Sequence, residues 1–274
     1  MKTLNRSMPE LEQMRARQGA GTKLEWGSVP FSFGRLGVCM FAFQLVAAWW
    51  PSAGLAGDLE EGARLASEIR SAVPAEEVAL RGRLNVRNSA GTTRDVPFEF
   101  KTTLTASNWS TLYKAASTDS QPQPLLAVRR QKEGPNTYAE ASPTTPDNWK
   151  PLAGKSIHRA FAGSDFSLFD LGVEFFHWPA QKIRKTEMRK SRSCHVLESL
   201  NPSPGPEEYL RVVSWIDVES GGVVVAEAYD AQNRLLKEFA VNSMKKINDR
   251  WQVQQMEIRN VQTRSRTRLD FEIR

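Results

Sequence analysis

The chain has 274 residues, a formal net charge of +6 and a hydrophobic fraction of 40%. That is material for one large domain or two small ones, and so ordinary a composition excludes wholesale disorder. Two cysteines, Cys39 and Cys194, exclude a disulfide-stapled scaffold.

Residues 1–56 differ in kind from the rest. Gly34 and Arg35 precede an apolar run from Leu36 to Trp50, and Pro51, Ser52, Ala53, Gly54, Leu55 and Ala56 follow it. A positive flank, a short apolar run and a small-residue exit predict a secretory signal peptide cleaved after Ala56. The run is shorter than the roughly 20 residues needed to span a bilayer; an uncleaved N-terminal anchor is the alternative. The stretch before Arg35 is long for such a signal and mixes Arg15, Arg17 and Lys23 with Glu10, Glu12 and Glu25, so Met8 or Met14 are alternative starts. Cys39 precedes the bulk of the run and is a poor lipidation site. Residues 1–56 hold six of the 37 Lys/Arg and three of the 31 Asp/Glu, which leaves residues 57–274 at about +3, too balanced to argue for nucleic acid. These residues are read as a single domain.

Leu59, Ala63, Ala66 and Ile69 make an amphipathic stripe over Leu59 to Ser71, with Asp58 as N-cap and Pro74 as stop. From Val78 the period becomes two. Val78, Leu80, Gly82, Leu84 and Val86 predict one strand, and Val96, Phe98, Phe100, Thr102 and Leu104 a partner, with Pro97 suggesting an edge or an irregular start. Ser107 and Asn108 predict a short turn, Trp109 to Ala115 and Leu125 to Arg130 two further strands, and Ser117 to Pro124 a loop. Arg130 to Lys155, rich in Pro, Thr, Asn and Gly, is expected to be a long surface excursion in which Tyr138 and Trp149 cover something apolar. Ser164 to Leu171 reads as a short helix capped by Ser164 or Asp165, with Phe166, Phe169 and Leu171 on its apolar side. Val173, Phe175, Phe176 and Trp178 form an aromatic patch ended by Pro179.

The remainder predicts strands over Gln181 to Met188, Ser193 to Leu200, Tyr209 to Asp217, Val223 to Tyr229, Leu235 to Ile247, Trp251 to Asn260 and Thr263 to Arg274, with Asn248-Asp249 among the turns between them. In the last, Thr263, Ser265, Thr267, Leu269, Phe271 and Ile273 alternate with charged residues, giving one wet face and one that turns apolar. About ten strands, short links and two helices imply an α+β, mainly antiparallel fold: one curved sheet, an incomplete open barrel, with helices in its concave face.

Chemistry is sparse. Cys194 and His195 resemble a nucleophile and base, but neighbours on a strand point to opposite faces. Asp170, Glu174 and His177 would share a face only if a helix ran past Gly172, so no metal site is expected. Glycine-rich phosphate loops, HExxH, CxxC and GxSxG are all missing. Lys182, Arg184, Lys185, Arg189, Lys190 and Arg192 read as a solvated strand-turn surface, with a docking patch for an anionic head group as the minority reading. Five tryptophans follow Ala56 (Trp109, Trp149, Trp178, Trp215 and Trp251), some of them able to line an apolar hollow.

The run Gly163-Ser164-Asp165-Phe166-Ser167-Leu168-Phe169-Asp170-Leu171, followed by Tyr209 to Asp217, Ala226 to Asp230, Leu235 to Lys237, Trp251 and Met256 to Ile258, resembles the LolA-like outer-membrane lipoprotein-sorting proteins of Gram-negative bacteria. The likeness is strongest from Ser156 to Ile273. One departure is a turn with Asn233-Arg234 where Gly-Lys is expected. The resemblance implies an open antiparallel barrel with lid helices and a cavity for acyl chains. It further implies a monomeric, non-enzymatic periplasmic protein without cofactor, whose partners are lipids or lipidated proteins and membrane donor and acceptor proteins. A non-transporting envelope sensor or assembly factor on the same fold is the alternative. Phe98, Phe100, Phe166, Leu168, Phe169, Trp215 and Met256 are the expected cavity residues.

Overall fold

The computed structural model describes residues 53–105, 108–117, 122–131, 134–247 and 250–273. The signal segment before Ala53 with Cys39, Ser107 of the first turn, most of the loop after Ser117, and the Asn248-Asp249 turn lie outside the described residues. Trp50–Arg274 forms one compact unit.

Among the described residues thirteen strands make one sheet in which every neighbouring pair is antiparallel. They are β1 (Val78–Arg87), β2 (Thr93–Leu104), β3 (Asn108–Ala115), β4 (Leu125–Gln131), β5 (Thr137–Ser142), β6 (Thr145–Leu152), β7 (Ala180–Arg189), β8 (Arg192–Leu200), β9 (Arg211–Asp217), β10 (Val223–Tyr229), β11 (Leu235–Ile247), β12 (Arg250–Asn260) and β13 (Ser265–Phe271). The spatial order is β6-β5-β4-β3-β2-β1-β13-β12-β11-β10-β9-β8-β7. A sheet this wide curls rather than staying flat, as the alternating patterns predict.

The order has a consequence for the concave face. β6 and β7 follow one another in sequence but occupy opposite edges. Every other step between consecutive strands is a step to the neighbouring strand. The chain from residue 153 to residue 179 must therefore cross the whole sheet. It does so as short pieces: 3-10 turns at Gly154–His158, Phe161–Gly163 and Glu174–His177, and a four-residue helix, α2 (Leu168–Leu171). α1 (Ala53–Ser71) lies beside β7 and the last of these turns.

Several expectations need correction. α1 begins at Ala53, so Asp58 is internal to it and not its N-cap. Half of the predicted stripe lies on its buried face: Ala66 is buried and Ile69 partly so, joined by Gly62 and Leu65, while Leu59 and Ala63 are exposed. A Cβ on Gly62 would stand 2.5 Å from the Gln181 carbonyl oxygen of β7, so the glycine is what lets the backbones meet. Pro97 is internal to the sheet. Its carbonyl accepts from Ala116 N at 2.8 Å, and since N–H and C=O of one strand residue face the same neighbour, the donor it lacks falls just past the end of β3. The surface excursion contains the hairpin β5–β6, with Tyr138 buried and Trp149 exposed. The Asn233-Arg234 turn closes because Asn233 takes the positive φ (60°) expected of glycine and Asp230 Oδ1 accepts from Gln232 N and Arg234 N.

Candidate functional site

The crossing segment is held to the sheet by its own motif. Gly163 has φ +63°, and a Cβ there would sit 2.2 Å from Arg94 Nη2, which donates to the Ala162 carbonyl at 2.7 Å. Asp165 reaches β13: its carboxylate accepts from Ser265 Oγ (2.5 Å) and Thr267 Oγ1 (2.8 Å), and its N–H donates to Thr267 Oγ1 (2.9 Å). Phe166 turns inward and is 3% exposed. Ser167, rather than Ser164 or Asp165, caps α2, in a box with Asp170: each side chain accepts from the other's backbone N–H. Arg130 Nη2 takes the Leu171 carbonyl at 2.5 Å.

Asp170 anchors the segment to the far half of the sheet. Its Oδ2 accepts from Lys237 Nζ (2.9 Å) and Ser167 Oγ (2.7 Å), and its Oδ1 from Tyr209 Oη (2.8 Å). Lys237 also donates to the Asp165 carbonyl at 2.8 Å. Burial alone would raise the Asp170 pKa, but Lys237 and the hydrogen bonds from Ser167 and Tyr209 outweigh it and hold the carboxyl below its ordinary value. Burial and the Asp170 charge push the Tyr209 phenol well up.

Between this segment and the sheet lie two adjoining hollows. One of about 140 Å³ runs over β1, β2 and β13 and is lined by Phe98, Phe100, Phe161, Leu269 and Phe271 among others. The second, of about 220 Å³, lies over β9 to β12 and is lined by Val212, Ala226, Ala228, Lys237, Phe239 and Ile258 among others. Tyr113, Phe166, Leu171 and Met256 border both.

Of the seven expected cavity residues, Phe98, Phe100, Phe166 and Met256 line these hollows. Leu168 and Phe169 do not. Leu168 packs in the core over β1 and β2, and Phe169 stacks on His158 (centroids 4.6 Å) and meets Tyr209 edge-on (5.5 Å). Trp215 lies on the opposite, convex face with Val196, Val225 and Cys194. There Glu187 accepts its Nε1–H at 2.7 Å and Arg189 stands 4.7 Å over its ring. The parity of β9 explains the error: Val212 and Ile216 face inward, so Trp215 cannot. Tyr113, Leu171 and Lys237 were missed; Lys237 stands next to Glu238 in β11 and looks solvated in one dimension.

The other sequence candidates separate. Val173 breaks the helix after Gly172 with φ 48°. Asp170 then bonds Lys237, Glu174 accepts from Tyr138 Oη (2.5 Å) and Asn136 Nδ2 (2.8 Å), and His177 Nδ1 lies 3.4 Å from Arg70 Nη1. Among the described residues no group of three His, Cys, Asp or Glu side chains could hold a metal. Cys194 is buried on the convex face and burial pushes its thiol pKa up, while His195 Nδ1 is 3.0 Å from Thr186 Oγ1. In the basic cluster, Arg184, Lys185, Arg189 and Arg192 pair with Glu198, Glu187, Glu227 and Asp217.

The same architecture occurs in solved structures. A DUF1329 family protein from Desulfovibrio piger ATCC 29098 superposes with a TM-score of 0.65 at 18% identity, covering 78% of this chain and 91% of that one. A domain described as outer membrane lipoprotein-sorting, from Vibrio parahaemolyticus, gives 0.65 at 19% identity with the same coverage. A LolA superfamily protein from Nitrosomonas europaea gives 0.54 at 14% identity, covering 79% of this chain and 92% of that one.

The chain has a LolA-like fold.

The resemblance read from the GSDFS run and the strands after it is thus borne out in the fold. A family model described as "Uncharacterized protein" matches residues 144–273, which brackets the stretch where the LolA-like signal was strongest. No curated protein matches the chain. No described helix is long and apolar enough to cross a membrane.

Proposed function

We propose that this protein is exported to the periplasm, where it shelters lipid acyl chains without a covalent step, in the sorting or transport of outer-membrane lipoproteins. The observation that carries the reading is the pair of adjoining apolar hollows roofed by a segment of short pieces and polar staples. Each methylene moved from water into such a space gains about 0.8 kcal/mol, so a few buried methylenes outweigh a lost staple. Loading is gated by the crossing segment: Asp165 and Asp170 hold it shut, and a chain entering under Phe166 displaces it. The partners are lipids or lipidated proteins and the membrane proteins that hand them over and receive them. No step requires a cofactor, and no residue acts as a nucleophile.

Native mass spectrometry of the protein purified from membranes tests this, with Ala228→Leu beside it. Ala228 lines the larger hollow and is 7% exposed, so leucine fills the space. The reading predicts co-purified acyl lipid on the parent and little on the variant. A lipid-free parent that carries one folded protein instead would contradict it and favour an envelope sensor.

A further inference from the structure

The hollows are apolar but not uniformly so. Among the four residues bordering both, Tyr113 alone carries a hydroxyl. Its ring is fixed by Phe100 (6.3 Å) and Phe161 (6.0 Å), and among the described residues its hydroxyl has no hydrogen-bond partner. Tyr113 is half-buried, and a phenol beside an apolar space normally finds a partner for its hydroxyl. The larger hollow holds a second such group. Lys237 uses two N–H bonds, to Asp165 O and Asp170 Oδ2, and its third has only the Tyr209 ring, 5.7 Å away. The hollow therefore offers two donors to a ligand acceptor.

The charge of the site says which acceptor. Among the described residues Lys237 and Asp170 are the only ionised side chains lining the two hollows, and they pair at 2.9 Å. A carboxylate brought beside Lys237 and Asp170 would leave that pair with a net negative charge in a low-dielectric space, which is unfavourable. A neutral carbonyl would not.

We propose that the hollow is specific for an ester-linked acyl chain, with Tyr113 donating a hydrogen bond to the ester carbonyl and Lys237 as the second donor. The inference rests on the acyl-chain reading above and names the ligand class it takes. Free fatty acids and carbonyl-free chains are the disfavoured ligands.

Three probes of equal chain length test it by calorimetric titration: a monoacylglycerol, the matching monoalkylglycerol ether, and the free fatty acid at neutral pH. The expected result is that the ester binds ~5-fold more tightly than the ether, the worth of one hydrogen bond, and more tightly than the fatty acid. Tyr113→Phe, which keeps the ring contacts, should erase the ester-over-ether preference by weakening the ester more than the ether. Equal binding of ester and ether, tighter binding of the fatty acid, or equal weakening of both glycerides by Tyr113→Phe would overturn the carbonyl assignment while leaving a lipid cavity. Failure of all three probes to bind would overturn the acyl-chain reading itself.

Discussion

Beneath α1 the concave face is filled: Ala66, Phe169, Phe176, Leu197 and Ile216 pack on one another, and none of them lines either hollow. Next to it, the same sheet and the same crossing segment leave about 140 and 220 Å³ unfilled. Both regions are apolar, so the hydrophobic effect alone does not distinguish them. Roof chemistry does. Over the filled region the roof is aromatic and inserts whole rings, backed by a helix whose glycine lets it come close. Over the hollows the roof is Phe166, Asp170 and Leu171, held by hydrogen bonds that the Asp165 and Asp170 carboxylates accept and that fix its height above the sheet. An apolar hollow of this size costs on the order of several kcal/mol relative to a filled core. The filled region teaches that this fold is able to close its core, and the open one is where stability has been exchanged for space.

The comparison can be broken first where the core is solid. Phe176 is 1% exposed, and Phe176→Ala should cost about 4 kcal/mol in urea unfolding; a loss below about 1 kcal/mol would mean that the aromatic roof is not packed as described. Next comes the staple. Asp170→Asn removes the counter-charge of Lys237 beside an apolar space and should cost about 3 kcal/mol, with faster amide exchange over residues 161–171. If exchange there stays slow, the roof is not held by this carboxylate.

Acid should act on the same bond. Asp170 has a depressed pKa in the folded protein, so its stabilising contribution is complete above the ordinary carboxylate value of about 3.9 and disappears as pH falls through the lower folded value. Roof opening, followed by exchange or by lipid release, should therefore rise below pH 4 in the parent and show a weaker dependence in Asp170→Asn. The smallest effect should have the opposite sign. Ala228→Leu fills part of the larger hollow and should raise the stability of the lipid-free protein by about 1 kcal/mol; destabilisation would indicate that the space is already tightly bounded.

Much of the sheet is legible in one dimension, because side-chain alternation over β1, β2 and β13 records a buried face directly. The face that turns apolar along Thr263 to Ile273 is explained in full only by the structure: its polar beginning, Ser265 and Thr267, is where Asp165 docks. The hairpin β5–β6 was hidden because its strands carry Pro146, Asn148 and Pro151 and bury few side chains. The α1 face was misread in part because the residue making the closest approach is glycine, which carries no hydrophobic signal. Half the hollow was legible, as aromatic residues at strand period. Its donors were not, since a tyrosine and a lysine give no periodic cue to whether their tips meet water, another side chain or an empty space.

Methyl-resolved NMR tests the central claim most directly. The methyl groups of Val212, Ala226, Ala228 and Met256 line the hollow, while those of Val196 and Val224 belong to the convex-face cluster. Titration with a monoacylglycerol should shift the first group in a saturable way and leave the second in place. Shifts confined to the convex face, or none at saturating lipid, would contradict the account.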